Sequence, residues 1–148
     1  MSLGALRATR AVRHRGRRML PELLIDQIDD FLAPPSAERC LVHADLHGDH
    51  IFVRDGHLAG IIDWGDAVCG DPYYDLPALF FGTFGGGKPL RRAFLDAYGW
   101  SVESAGLSFA RRAMTMTLLH EFNQLGHAMP PLEDVTILNE LAEMLWRV

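Results

Sequence analysis

Apolar residues recur at three-and-four spacing through Leu20, Leu23, Leu24, Ile28, Phe31 and Leu32, which predicts an amphipathic helix. Pro21 suits the first turn of that helix, where a backbone N–H has no partner anyway, and Ala33-Pro34-Pro35-Ser36 ends it. The period then changes. Cys40-Leu41-Val42 reads as a short strand, and His50 to Arg54 as another. Asp55-Gly56 is a two-residue hairpin signal, because both residues tolerate the positive φ of a type I′ turn, and His57 to Ile62 is the returning strand. The stretch from His43 to His50 is too polar for a buried strand, so it is a loop held between strands.

Helical spacing returns further on. The pattern predicts a short helix over Asp75 to Phe81, a Gly-rich connection over Gly82 to Lys88 and a helix over Pro89 to Tyr98. A long helix over Ser104 to Met129 carries Leu107, Ala110, Met114, Leu118, Leu119 and Phe122, with Met114, Met116, Leu118 and Leu119 in the core, until Pro130-Pro131 breaks it. The last helix, Leu132 to Trp146, aligns Val135, Leu138, Leu141, Ala142 and Leu145 on one stripe. No internal repeat is visible. A small β element followed by helices predicts an α+β fold.

Composition narrows this picture. A chain of 148 residues with 49% hydrophobic and 22% charged residues is ordinary globular material, able to bury a core without disulfides. A net charge of −5 argues against nucleic acid as partner, since phosphate binding needs a basic face. The arginines at 7, 10, 13, 15, 17 and 18 make residues 1–19 a basic segment, read as a solvated terminal helix, with a phosphate- or partner-binding arm as the alternative. Residues 20–148 form the domain proper. Cys40 and Cys69 make no CxxC pair, which excludes a zinc ribbon; they are expected as free thiols in a reducing cytosol, with Cys40 in the core. No run of eighteen apolar residues exists and no apolar stretch follows the basic start, so neither a membrane span nor a signal peptide is expected, and the expected location is the cytoplasm.

Polar side chains crowd two places, each beside a strand: His43-Ala44-Asp45-Leu46-His47-Gly48-Asp49-His50 and Ile61-Ile62-Asp63-Trp64-Gly65-Asp66. Strand ends that aim polar groups are common places for a site. Phosphoryl transfer needs a carboxylate to orient the nucleophile and further ligands to hold Mg²⁺ against nucleotide phosphates. Kinases carry these on a His-x-Asp-x-x-x-x-Asn loop and a following Asp-Phe-Gly. Here Asp63-Trp64-Gly65 follows Asp45 by eighteen positions, and Gly70-Asp71-Pro72-Tyr73-Tyr74-Asp75-Leu76 comes next.

These three motifs in this order resemble the aminoglycoside phosphotransferase and choline kinase family. The resemblance covers residues 20–148 and implies a protein-kinase-like C-terminal lobe, mostly helical, with a small β-hairpin element carrying the catalytic and metal loops. It implies Asp45 as the catalytic carboxylate, His43 as a brace of its loop, and Asp63 as the main Mg²⁺ ligand with His50 as a second metal or nucleotide contact. ATP would be the phosphoryl donor, and a small-molecule hydroxyl the acceptor. Asp71 would cap the next helix, and Asp75 would steady the active-site loops. His47 and Asp66 read as loop-bracing residues. The late acids Glu121, Glu133, Asp134, Glu140 and Glu143 correspond to an acidic substrate cleft in relatives, or to solvated helix faces.

The sequence departs from the family in two ways. Position 50 holds His where the family has Asn, a harder oxygen ligand better suited to Mg²⁺. The chain's single lysine, Lys88, lies after the catalytic loops, and residues 1–42 hold no strand-rich pattern, so the nucleotide-covering N-terminal lobe is expected to be absent. Gly85-Gly86-Gly87-Lys88 lacks the spacing of a phosphate loop and reads as a connection. Two other functions fit parts of the pattern. A metal-dependent hydrolase would use Asp45-x-His47-x-Asp49-His50 to bind zinc, although that leaves the later motifs unexplained. A non-catalytic, truncated kinase-like lobe would cover its exposed apolar surface by forming a homodimer or by pairing with the missing N-terminal lobe.

Overall fold

The chain runs through two short antiparallel strand pairs into a helical body. The computed structural model describes residues 12, 19–34, 36–100, 102–122, 125, 132 and 134–147, the side chains of 102–108 excepted. The basic segment (save Val12 and Met19), the Pro130-Pro131 break and Glu133 lie outside the described residues. The elements are α1 (Glu22–Ile25), α2 (Ile28–Phe31), β1 (Cys40–Val42), β2 (Ile51–Arg54), β3 (His57–Ile61), β4 (Val68–Gly70), α3 (Lys88–Tyr98), α4 (Val102–Leu119) and α5 (Leu138–Trp146). Single 3₁₀ turns occupy Gly48–His50 and Trp64–Asp66. The mixture of helices and small sheets agrees with the α+β expectation at that level.

Strand pairing decides where the polar loops go. β1 pairs with β4, with Val42 opposite Val68, and β2 pairs with β3, with Ile51 opposite Ile61. The loop leaving β1 and the loop entering β4 therefore start at one place and end together at the base of the β2–β3 hairpin. Both bridge the gap between the two pairs, side by side. Asp55 and Gly56 close the hairpin with φ of 51° and 77°, as a type I′ turn requires. Gly70 is needed for a different reason: a Cβ there would stand 2.7 Å from Cγ2 of Val42 on the paired strand.

The core lies among the helices. Leu24, Ile25, Ile28 and Phe31 from α1 and α2 meet Ala113 and Met114 of α4 and Leu138, Leu141 and Ala142 of α5. Trp146 closes it, with ring centroids 5.3 Å from Phe80 and 5.0 Å from Phe81. Met114, Met116 and Leu118 are buried and Leu119 half-buried. Arg91 is buried as well. Its guanidinium sits over Phe80 and Phe81 and donates to the carbonyl of Leu145 at 2.6 Å, which satisfies the C-terminal turn of α5. Burial lowers the pKa of Arg91 from its usual value.

Several boundaries differ from the sequence pattern, each for a tertiary reason. The first helix is two short helices parted by a turn at Asp26-Gln27. There the Gln27 side chain accepts from Leu138 N at 2.8 Å and donates to Thr136 O at 2.8 Å. That contact supplies an N-terminal cap for α5, which begins at Leu138 and not at Leu132. The long helix stops at Leu119 instead of passing through Phe122. His120 is buried, stacks on Tyr74 at 4.6 Å and accepts the amide of Phe122 in a local turn. The region expected as an α-helix over Asp75 to Phe81 is largely a π-helical segment, Ala78–Thr83, in which Phe84 N reaches back to Leu79 O. β4 was not expected at all. Cys40 is only half-buried instead of a core residue, and Cys69 is exposed; both are free thiols. Among the described residues, no helix is long and apolar enough to cross a membrane.

Candidate active site

The loop after β1 is pinned from below by one carboxylate. Asp75 accepts the amide of His43 at 2.8 Å on one oxygen and that of Ala44 at 2.7 Å on the other. Ala44 has a φ of 70°, a strained conformation for alanine, so the loop needs such an external clamp. Asp71, itself buried, accepts Tyr73 N at 3.0 Å and Ser36 N at 2.7 Å, and so fixes the turn that leads to Asp75.

His43 joins the two loops. The residue is 2% exposed, and Nε2 of its ring lies 2.7 Å from the carbonyl of Ile62. A carbonyl only accepts, so Nε2 carries the proton and Nδ1 takes the amide of Asp45 at 3.3 Å. Both ring nitrogens are thus committed to backbone. The Trp64 indole packs 4.7 Å from the His43 ring and donates from Nε1 to Ile61 O, which closes the second loop over the first.

Asp45 and Asp63 stand on either side of His50. The His50 ring donates from Nδ1 to the Asp45 carbonyl at 2.9 Å, so the neutral ring keeps its lone pair on Nε2. That Nε2 faces the Asp63 carboxylate at 3.6 Å. His50 Nδ1 also lies 3.8 Å from Asp45 Oδ2, and His47 Nε2 lies 3.6 Å from the same oxygen. These contacts are too long for hydrogen bonds but set the local field. Asp63 takes a left-handed conformation, φ 61° and ψ 58°, which turns its side chain outward to 66% exposure. The Asp45 side chain is only 25% exposed. One carboxylate is therefore sheltered among imidazoles, and the other is open to solvent and ligands.

Asp45, His47 and His50 also offer three ligand atoms within 4.8 Å of one another, as a zinc site would need. The tautomers oppose that use. His47 Nδ1 accepts the amide of Asp49, so the neutral His47 ring presents a proton, not a lone pair, to Asp45. The free lone pair of His50 faces Asp63, outside that trio. Asp66 is exposed on its turn, and Asp49 is nearly fully exposed. Lys88 lies at the start of α3, in a hollow of about 610 Å³ with Asn139, Glu140, Glu143, Met144 and Arg147, none of which belongs to the loops.

Sequence reasoning had singled out His43, Asp45, His50 and Asp63, and the structure brings all four together. It also shows contacts that the pattern does not. His47 is a direct neighbour of the Asp45 carboxylate, and the carbonyl of Ile62 and the Trp64 indole fix His43. The aromatic residue directly after Asp63 was the only local sign of that packing. Burial raises the pKa of the nearby Cys40 thiol, and the carboxylates of Asp75 and Asp71 push it in the same direction.

Residues 3–114 match the phosphotransferase enzyme family, APH. The chain belongs to this family. Within it, a stretch of 43 residues is 37% identical to a hygromycin-B 4-O-kinase of Escherichia coli, and one of 53 residues is 42% identical to an aminoglycoside 3'-phosphotransferase of Staphylococcus aureus. Those stretches are 29% and 34% of this chain but only 13% and 20% of the two enzymes. The likeness to these relatives is thus confined to a small part of their length.

Proposed function

We propose that this chain carries the catalytic and metal loops of a kinase-like C-terminal lobe, and that the site serves transfer of the γ-phosphoryl group of ATP to a hydroxyl of a small molecule. The observation that carries this reading is the His50 bridge. One ring nitrogen holds the backbone of Asp45 while the other faces Asp63, so a sheltered carboxylate and an open one are kept in fixed relation.

The Asp63 carboxylate fits Mg²⁺. The ion favours one or two carboxylates and keeps several waters or phosphate oxygens, and Asp63 is an exposed carboxylate with one further donor, His50, beside it. When bound, the ion neutralises charge on the nucleotide phosphates. Asp63 and His50 would hold it. Asp45 would orient the acceptor hydroxyl and take its proton as the new O–P bond forms and the bond to the departing ADP breaks. His43, fixed at both nitrogens, would keep the Asp45 backbone in place. The relatives' names favour an aminoglycoside-like hydroxyl as the acceptor. The chain's single lysine stands outside the loops, so the nucleotide phosphates lack a lysine partner there, a loss of positioning that would slow or abolish turnover by the chain alone.

The test is transfer of labelled γ-phosphoryl from ATP to a panel of aminoglycosides. Slow, metal-dependent transfer that falls about 10²- to 10⁴-fold in Asp45→Asn is expected, the range of a lost general base. Equal rates in wild type and Asp45→Asn would remove Asp45 from the chemistry.

One observation favours a second reading, that of a self-associating or partner-binding module. Phe52, Val53 and Leu58 are all more than half exposed on the hairpin. Sedimentation velocity distinguishes the two: a concentration-dependent dimer without nucleotide binding would favour the module.

A further inference from the structure

The metal loop contains a choice of ligand that the phosphotransferase reading does not itself explain. The second donor at the site is an imidazole nitrogen, not an amide oxygen. His50 is 14% exposed, and its tautomer is set by the Nδ1 proton donated to the Asp45 carbonyl. Its ring is further held 4.0 Å from the His47 ring and 5.7 Å from the His43 ring. The backbone locks it too: His50 N donates to His47 O, and His50 O accepts from Ile62 N, both at 3.0 Å. The lone pair on Nε2 is therefore aimed at Asp63 before any ion arrives. Backbone support of the distal nitrogen is how ligating histidines are usually held, and it raises the basicity of the ligating atom.

The span between the two donors suits a shared ion. Two ligands at ~2.1 Å from one ion lie at most ~4.2 Å apart, and Nε2 and Oδ2 are 3.6 Å apart. Ligand softness then decides which ion. Imidazole suits Zn²⁺, Fe²⁺ and Ni²⁺ best and Mn²⁺ least among first-row dications, whereas Mg²⁺ favours an all-oxygen shell and sheds water reluctantly. We infer that this is an imidazole–carboxylate site that selects first-row transition dications over Mg²⁺, with His50 Nε2 as the atom that sets the preference and Mn²⁺, the weakest binder of that row, as the stringent probe. The inference rests on the proposed function for the identity of the site, but it concerns which ion the site prefers and not whether phosphoryl transfer occurs.

Two substitutions separate the roles of the ring. Asn at position 50 reaches only as far as Nδ1, so His50→Asn keeps a donor to the Asp45 carbonyl and removes the ligand atom that Nε2 provides. Gln reaches as far as Nε2, so His50→Gln places an amide oxygen where the nitrogen was. The experiment titrates Mn²⁺ into the intact chain under electron paramagnetic resonance, reads nitrogen coupling by electron spin-echo modulation, and displaces the ion with Mg²⁺. The expected result is Mn²⁺ bound with nitrogen coupling, lost in Asp63→Ala. In His50→Asn and His50→Gln the coupling disappears, and the Mn²⁺-over-Mg²⁺ preference falls by about 10-fold or more, the scale on which support of a metal ligand is felt. Asp63-dependent binding without nitrogen coupling, and with an unchanged preference in both His50 variants, overturns the inference and leaves the phosphotransferase site standing. Coupling that persists in Asp63→Ala places the ion on the Asp45–His47–His50 trio and overturns both. The absence of any divalent binding, both with and without ATP, also overturns both.

Discussion

Each half of the molecule holds a charged side chain against backbone, and the comparison shows how differently the halves are built. In the helical half, Arg91 caps the end of α5 amid a continuous apolar core around Phe80, Phe81 and Trp146. It trims a structure that apolar burial already specifies. In the loop half, Asp75 takes the amides of His43 and Ala44 beneath strands whose residues Phe52, Val53 and Leu58 are exposed. There, little apolar area is buried, and the shape depends on a few polar anchors. The helical half is specified mainly by apolar burial, and the loop half by its polar anchors.

The comparison breaks most visibly at Trp146. Trp146→Ala should lower unfolding free energy by about 3–5 kcal/mol, as for a large aromatic lost from a core, measured by urea denaturation. A loss below about 1 kcal/mol would mean that the aromatic cluster is not what holds the helices. Asp75→Ala comes next. It leaves two amides of a strained loop without their acceptor and should cost about 1–3 kcal/mol, with nucleotide binding reduced in the same variant. Wild-type stability and binding in Asp75→Ala would show that the loop shape has another source.

How much of this was legible depends on whether the deciding contact is local. Asp55-Gly56 announced its hairpin because the positive φ is a property of those two residues. The three motifs were legible for the same reason, as short runs of unusual polarity beside strands. β4 was hidden because its partner, β1, lies far back in the chain. The true ends of α4 and α5 were hidden because His120 and Gln27 set them, and neither residue is a usual cap. In the site, residue types pointed to His43, Asp45, His50 and Asp63. The tautomers that give His43 and His50 separate tasks come from the carbonyls of Ile62 and Asp45, and no pattern could show them.

Smaller effects sharpen the picture. Gln27→Ala should cost about 1 kcal/mol, as for loss of a helix cap, and should speed amide exchange at Leu138 specifically. Unchanged exchange there would deny the cap. Smallest of all, iodoacetamide at pH 8 should label Cys69 before Cys40. Cys69 is exposed, and the raised pKa of the half-buried Cys40 leaves less reactive thiolate. Equal labelling rates would mean that the β1–β4 pair opens readily.

The central claim is that Asp45 and Asp63 form one preorganised phosphoryl-transfer half-site, and the most direct measurement is calorimetric titration of ATP into the chain with Mg²⁺ or Mn²⁺. The account predicts binding that requires the divalent ion, is lost in Asp63→Ala and persists in Asp45→Asn. Absence of binding at millimolar ATP, or binding indifferent to both the ion and Asp63, would contradict it.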